Sequence, residues 1–193
     1  MKRAKGHIIR WAIIVVMGII VLGAMTSFAL TPERGIRESL LGMNLPVEVE
    51  AVSVIDAGGI HAVVFWDEKY QMYHHSFMKQ VLGLFWEARG GGFGTKPQEE
   101  WQIKFGEGYS TQGSRAYHYV IGWINDHEVA TVEVLWRDGT LEQMEPAMGR
   151  IIHFAREGEA GSSSWMVEEL YAYDRNGNRL YTLDNMNYFA AAE

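Results

Sequence analysis

Hydrophobic and polar positions divide the 193-residue chain into three zones with different periodicities. Residues 11–30 read Trp-Ala-Ile-Ile-Val-Val-Met-Gly-Ile-Ile-Val-Leu-Gly-Ala-Met-Thr-Ser-Phe-Ala-Leu and carry no charge. A helix of that length rises about 30 Å, the thickness of a bilayer's hydrocarbon core, so the run predicts one transmembrane helix. Residues 31–45 change register: Thr31 and Pro32 resemble a helix start, Ile36 and Leu40 lie four apart, and Gly42 ends the pattern, which predicts a short juxtamembrane helix. From residue 46 the spacing shortens again, to brief runs of Val, Ile, Tyr, Phe and Trp punctuated by Gly, Asn and Asp.

Those runs predict strands over 47–55, 60–66, 71–78, 84–88, 101–105, 117–124, 128–136, 141–145, 150–155, 165–173 and 180–183. The fold class expected is all-β, a sandwich-like antiparallel domain over 46–189. In 128–136 the alternation sets Ala130, Val132, Val134 and Trp136 on one face and Thr131 and Glu133 on the other, as for a strand with one buried face. Asp138-Gly139 and Asn176-Gly177 predict tight hairpins. The stretch 71–82 also suits a helical face through Met72, Phe77, Met78, Val81 and Leu82, and is assigned to strand. The Gly- and Pro-bearing segment 89–97 is where a division into two β subdomains would fall, with one domain preferred; 190–193 is expected to fray.

Charge orients this arrangement. Lys2, Arg3, Lys5 and Arg10 precede the apolar run without an acid among them, which holds a cytoplasmic N-terminus (residues 1–10) and exports the remainder. A cleaved signal peptide is the rival reading, since Ser27-Phe28-Ala29 fits the small-x-small pattern before a cut at Leu30; the run exceeds the usual signal core of about 7–15 residues, which favours the uncleaved, single-pass anchor. Setting aside those four cations leaves 13 basic against 24 acidic residues, a net charge of about −11 on the exported part. Such a surface is a poor match for nucleic acid or anionic head groups.

The chain has no cysteine, which removes disulfides, thiolate metal sites, a cysteine nucleophile and a lipid-modified cysteine. Gly90-Gly91-Gly92-Phe93-Gly94-Thr95-Lys96 lacks the spacing of a phosphate loop and reads as a connector. His74 and His75 point to opposite faces of a strand, and His61, His118, His127 and His153 are scattered; no metal site or cofactor is assigned, and His118 and His127 bracket one hairpin. Ser162 to Ser164 lack a nucleophile-elbow glycine, and no carboxylate pair is singled out among Glu99, Glu100, Glu107, Asp126 and Glu128, so no catalytic residue is assigned.

Aromatic density is the more specific signal. Of the 22 aromatic residues after residue 30, 14 lie between Phe65 and Trp123. Core packing explains most such rings, but Trp66, Tyr70, Tyr73, Trp86, Phe93, Trp101 and Tyr109 are also stacking platforms for sugars or a protein, with Trp86, Phe93, Trp101 and Tyr109 the candidate binding residues. Neighbours such as Phe65-Trp66 cannot share one buried face, so a second covered face or exposed rings are expected.

Val63-Val64-Phe65, Val81-Leu82-Gly83-Leu84-Phe85-Trp86, Gly90-Gly91-Gly92-Phe93 and Tyr173-Asp174-Arg175-Asn176-Gly177 together resemble a group of small, uncharacterised single-pass membrane-anchored proteins of Gram-positive bacteria. The resemblance implies an anchor and a β-rich outer domain, and carries over no activity or catalytic residue. The functional expectation is a non-catalytic binding or sensing domain of the cell envelope, with an envelope protein or glycan as partner. Two alternatives stand beside it: an envelope hydrolase or glycan-modifying enzyme whose site is assembled only in the fold, and an accessory subunit of a membrane complex.

Overall fold

A computed structural model describes residues 2–25, 29–184 and 189–191. Two helices, α1 (Lys2–Met25) and α2 (Pro32–Gly42), precede twelve strands: β1 (Glu50–Asp56), β2 (His61–Asp67), β3 (Met72–Val81), β4 (Phe85–Thr95), β5 (Trp101–Gln112), β6 (Arg115–Ile124), β7 (Thr131–Trp136), β8 (Leu141–Met144), β9 (Ile151–Glu159), β10 (Val167–Tyr173), β11 (Arg179–Asp184) and β12 (Phe189–Ala191). The strands form three antiparallel four-stranded sheets, ordered β1-β2-β3-β4, β12-β5-β6-β9 and β11-β10-β7-β8. The all-β expectation holds, in three stacked layers.

The second sheet is the middle layer. Ile103, Phe105, Val120, Ile124, Ile152 and Phe154 on one of its faces pack with Val132, Val134, Trp136, Val167, Leu170 and Leu183 of the third sheet. Its other face meets the first sheet: Tyr117 and Ala155 pack with Ala62 and Phe77, and Ile151 with Val64, Trp66 and Tyr73. The outer face of the first sheet is closed by α2, whose Ile36 and Leu40 lie on Val63, Phe65 and Met78. Thus Phe65 faces α2 and Trp66 faces the middle sheet, and both are buried because β2 is covered on both sides.

α2 forms as its residues dictate. Thr31 caps it in an extended conformation, its hydroxyl accepting from the Arg34 N–H at 3.5 Å, and Pro32 occupies the first turn. Its close seat on the sheet requires Gly35, where a Cβ would stand 3.0 Å from the Trp86 carbonyl oxygen and closer still to the Met78 side chain.

Several expectations change. Residues 90–94 are no connector: they lie inside β4, which continues to Thr95, and residues 96–100 lead from the first sheet to the second. Gly91 packs so closely on the His75 backbone that a side chain has no room, so glycine is required at that position although it is not in a loop. Ala190 and Ala191, expected to fray, pair with Ile103 and Trp101. The Asp138-Gly139 and Asn176-Gly177 hairpins each use one left-handed glycine in a three-residue loop, closed by Trp136 N–H to Thr140 C=O and by Asp174 N–H to Asn178 C=O, rather than a two-residue mirror turn.

The predicted membrane helix over 11–30 is not seen in that form. α1 ends at Met25, so its uncharged part, 11–25, rises about 22 Å. Among the described residues no helix is long and apolar enough to cross a membrane. Ser27 and Phe28 lie outside the described residues, and Ala29 pairs with Trp86 through two backbone hydrogen bonds. Residues 8–21 of α1 are exposed on every side, including Ile8, Trp11, Ile13, Ile14 and Ile20.

Candidate functional site

Where β3 and the end of β4 approach the middle sheet, the two layers separate enough to leave a cleft of about 370 Å³. Tyr73, Trp101, Tyr119, Ile121 and Trp123 line it, with Thr95 to Gln98 along one rim and Lys96 and Lys104 as its cations. Strand alternation builds the floor: Tyr119, Ile121 and Trp123 stand at every second position of β6 and all face the first sheet.

The rings are held in place. Trp123 stacks on Trp66 with centroids 5.1 Å apart and on Tyr73 at 6.4 Å, the latter nearly parallel at 5°. Its indole N–H donates to Asn125 Oδ1 at 2.9 Å, while Asn125 Nδ2 donates to the carbonyls of Gln98 (2.9 Å) and Trp101 (2.6 Å). Gln98 Oε1 accepts from the Trp101 indole at 3.0 Å and from Lys104 Nζ. Asn125 thereby fastens the rim segment to the floor, a preorganised arrangement that lowers the ordering cost of binding. Cations lie over the rings, Lys104 at 5.9 Å from Trp101 and Arg150 at 5.9 Å from Trp123.

Tyr119 reaches its position only because Gly108 has no side chain; a Cβ there would lie 2.5 Å from the Tyr119 hydroxyl. Burial raises the pKa of both Tyr119 and Tyr73, the latter to about 12, where the charge of Tyr119 also disfavours ionisation, so both phenols stay neutral donors. The single carboxylate lining the cleft, Glu107, accepts from the Val167 N–H at 3.0 Å.

Behind the cleft lies a buried polar group that connects the sheets. His75 of β3 stacks on Tyr119 at 3.9 Å and stands 5.6 Å from His153 of β9, whose Nδ1 is 2.8 Å from Ser53 Oγ. Burial drives the His75 pKa well below its usual range, with the neighbouring His153 adding to the effect, and drives that of His153 to about 3. Burial therefore favours the neutral form of both imidazoles. His74 faces the other way, accepting from the Gly94 N–H at 2.8 Å beside Phe93.

The four candidate binding residues do not converge. Trp101 lines the cleft; Trp86 is half-buried under α2 with its ring 5.0 Å from that of His61; Phe93 is half-buried among residues of the α2 interface; Tyr109 is 69% exposed farther along β5, stacked on His118 at 5.4 Å. His118 contacts Tyr109 and Trp165, whereas His127 lines a separate groove. Tyr119, Ile121 and Trp123 could have been found from their i, i+2 spacing; nothing local marks Lys96 or Lys104.

That second groove, about 940 Å³, lies on the outer face of the third sheet beside Thr131, Glu133, Gln143, Glu145 and Tyr173. It is open, and its acids serve the fold: Glu133 accepts from the Tyr173 hydroxyl at 3.0 Å, and Asp174 accepts from the N–H groups of Asn176 and Asn178. Among the described residues no group of three or more His, Cys, Asp or Glu is placed to hold a metal ion.

No family model, curated protein or solved structure matches this chain.

Proposed function

We propose that this chain is a membrane-attached, extracytoplasmic binding protein whose aromatic cleft captures an anionic, ring-bearing ligand of the cell envelope, an acidic saccharide being the class that fits. The observation that carries the reading is the convergence of Tyr73, Trp101, Tyr119 and Trp123 with Lys96 and Lys104 in one cleft. Flat rings take the apolar faces of a sugar at little entropic cost, and two lysines on an otherwise acidic domain select negative charge. Binding is favoured over hydrolysis because the cleft offers one carboxylate, already engaged, where glycoside cleavage uses two.

Attachment is supported by the uncharged run 11–30, the four cations before it, and the apolar girdle of α1 that nothing else in the described chain covers. The same cations favour a cytoplasmic N-terminus with the β domain outside.

The test is a titration of full-length protein in detergent micelles with muramic-acid-bearing and neutral oligosaccharides, read by tryptophan emission. Saturable quenching by the acidic series, weakened at least tenfold by Trp101→Ala and by Lys104→Glu, is the expected result. Emission that no saccharide alters would overturn the reading.

A further inference from the structure

The β3–β4 hairpin ends in Leu82-Gly83-Leu84, and its geometry runs against its sequence. Leu82 has φ +54° and Gly83 φ +66°, two successive left-handed residues of the kind that hairpins fill with Asn, Asp or Gly. Leu82 is nevertheless a leucine, and it is 82% exposed, the most exposed of the large apolar side chains described. A branched side chain held in a strained conformation and aimed at solvent gains nothing for the fold. Such an outlier is a reason to look for an external contact.

The location of the tip identifies that contact. Ala29 pairs antiparallel with Trp86, two positions from Leu84, so the chain continues through Leu30 in the direction of the hairpin tip. Leu30 is the last residue of the uncharged run, and both Leu30 and Leu84 are exposed. Ala29 is four peptide steps beyond the end of α1, at most about 14 Å of chain. The apolar run therefore finishes at the same edge of the domain at which the leucine tip projects. From Thr31 onward the polar sequence Thr-Pro-Glu-Arg turns back into α2, over the sheet and away from the tip.

We infer that Leu82 and Leu84, together with Leu30, insert into the outer leaflet beside the anchor, so that the hairpin is a second point of attachment which fixes the orientation of the domain on a lipid surface. The inference rests on the membrane attachment proposed above. Lipid is the occupant because the anchor cannot leave the bilayer by more than the reach of those few residues, and an exposed leucine pair within that reach meets acyl chains before any soluble partner. Burying these side chains in the interface removes apolar surface from water in proportion to its area.

The absence of cysteine makes the test direct, since a single introduced cysteine is the only labelling site. Full-length protein carrying Leu82→Cys, and separately Leu84→Cys, is labelled with an environment-sensitive nitrobenzoxadiazole and reconstituted in vesicles of phosphatidylcholine and phosphatidylglycerol. Tyr70→Cys is the control, in the turn at the opposite end of β3, about 33 Å away. Expected are blue-shifted emission at 82 and 84 and loss of most of it to lipids spin-labelled near the top of the acyl chain, with neither effect at 70. Protein that floats with the vesicles yet emits at 82 and 84 as it does at 70 overturns the insertion and leaves attachment standing. A blue shift without quenching by spin-labelled lipid assigns the tip to a protein contact and also overturns it. Protein that does not float overturns both.

Discussion

The imidazole of His75 lies stacked on the phenol ring of Tyr119, centroids 3.9 Å apart and planes inclined by 21°, and through this pair the floor of the aromatic cleft rests on a buried histidine couple. Its other neighbours are Phe77, edge-on at 4.9 Å, and His153. Protonation of either histidine would place an unpaired charge in a dry layer between two sheets.

The stability of the domain should accordingly fall with acid. Both histidines have folded-state pKa values below the unfolded value near 6.5, with His153 at about 3. Well above pH 6.5 neither state binds the proton and these groups contribute no slope. Below it the unfolded chain takes up protons that the folded chain refuses, so stability declines as pH falls, down to the folded pKa. At pH 5 His153 alone should cost about 2 kcal/mol, and His75 adds to the loss in the same direction. Thermal unfolding followed from pH 7.5 to 4.5 should show this decline, and His75→Phe should make it shallower while His153 keeps its share; a melting temperature independent of pH over that range would refute the buried neutral pair.

Gly108→Ala should strike the cleft through Tyr119. The added methyl collides with the phenol, which cannot withdraw because His75 lies behind it. Overpacking of this kind costs about 1–3 kcal/mol. Denaturant unfolding should register the loss, and saccharide titration should show weakened binding in protein that is still folded.

Trp101 and Trp86 should separate binding from packing. Trp101 touches the cleft rim through Gln98, so its removal should weaken ligand binding at least tenfold with little change in melting temperature. Trp86 lies under α2, and Trp86→Ala should lower stability by about 2–4 kcal/mol while the folded fraction binds normally. Tyr109→Ala should change neither quantity. Equal loss of affinity for all three variants would argue against the cleft as the site.

Leu82→Asn should raise the stability of the domain by about 1 kcal/mol, since asparagine tolerates the left-handed conformation that leucine resists. Guanidine unfolding of the full-length protein in micelles measures it. A destabilised variant would mean that Leu82 makes a contact, within the domain or with the micelle, worth more than the backbone strain it carries.

Much of the β architecture was legible because one-sided strands announce themselves: Val132, Val134 and Trp136 are buried, while Thr131 and Glu133 line an open groove. α2 was equally plain, from Thr31 and Pro32 to Ile36 and Leu40. Glycine misled, because the same residue type marks a turn and a place where two backbones touch; Gly91 is the second kind, and only the position of His75 shows it. The cleft was half visible. Trp101 was identifiable, but Tyr73 and Trp123 meet from strands fifty residues apart, a pairing that depends on how the sheets stack rather than on any local pattern. The His75–His153 contact was hidden for the same reason.

Because the middle sheet is covered on both faces, β6 has no parity that evolution or an engineer can use freely. Along β7, alternate positions look outward and should accept polar exchange. Along β6, Tyr117, Tyr119, Ile121 and Trp123 answer to the first sheet, while Ala116, His118, Val120 and Ile124 answer to the third. A complete substitution scan should therefore show a continuous band of intolerance at 116–124 against an alternating one at 131–136, making the central strand the slowest part of this protein to diverge.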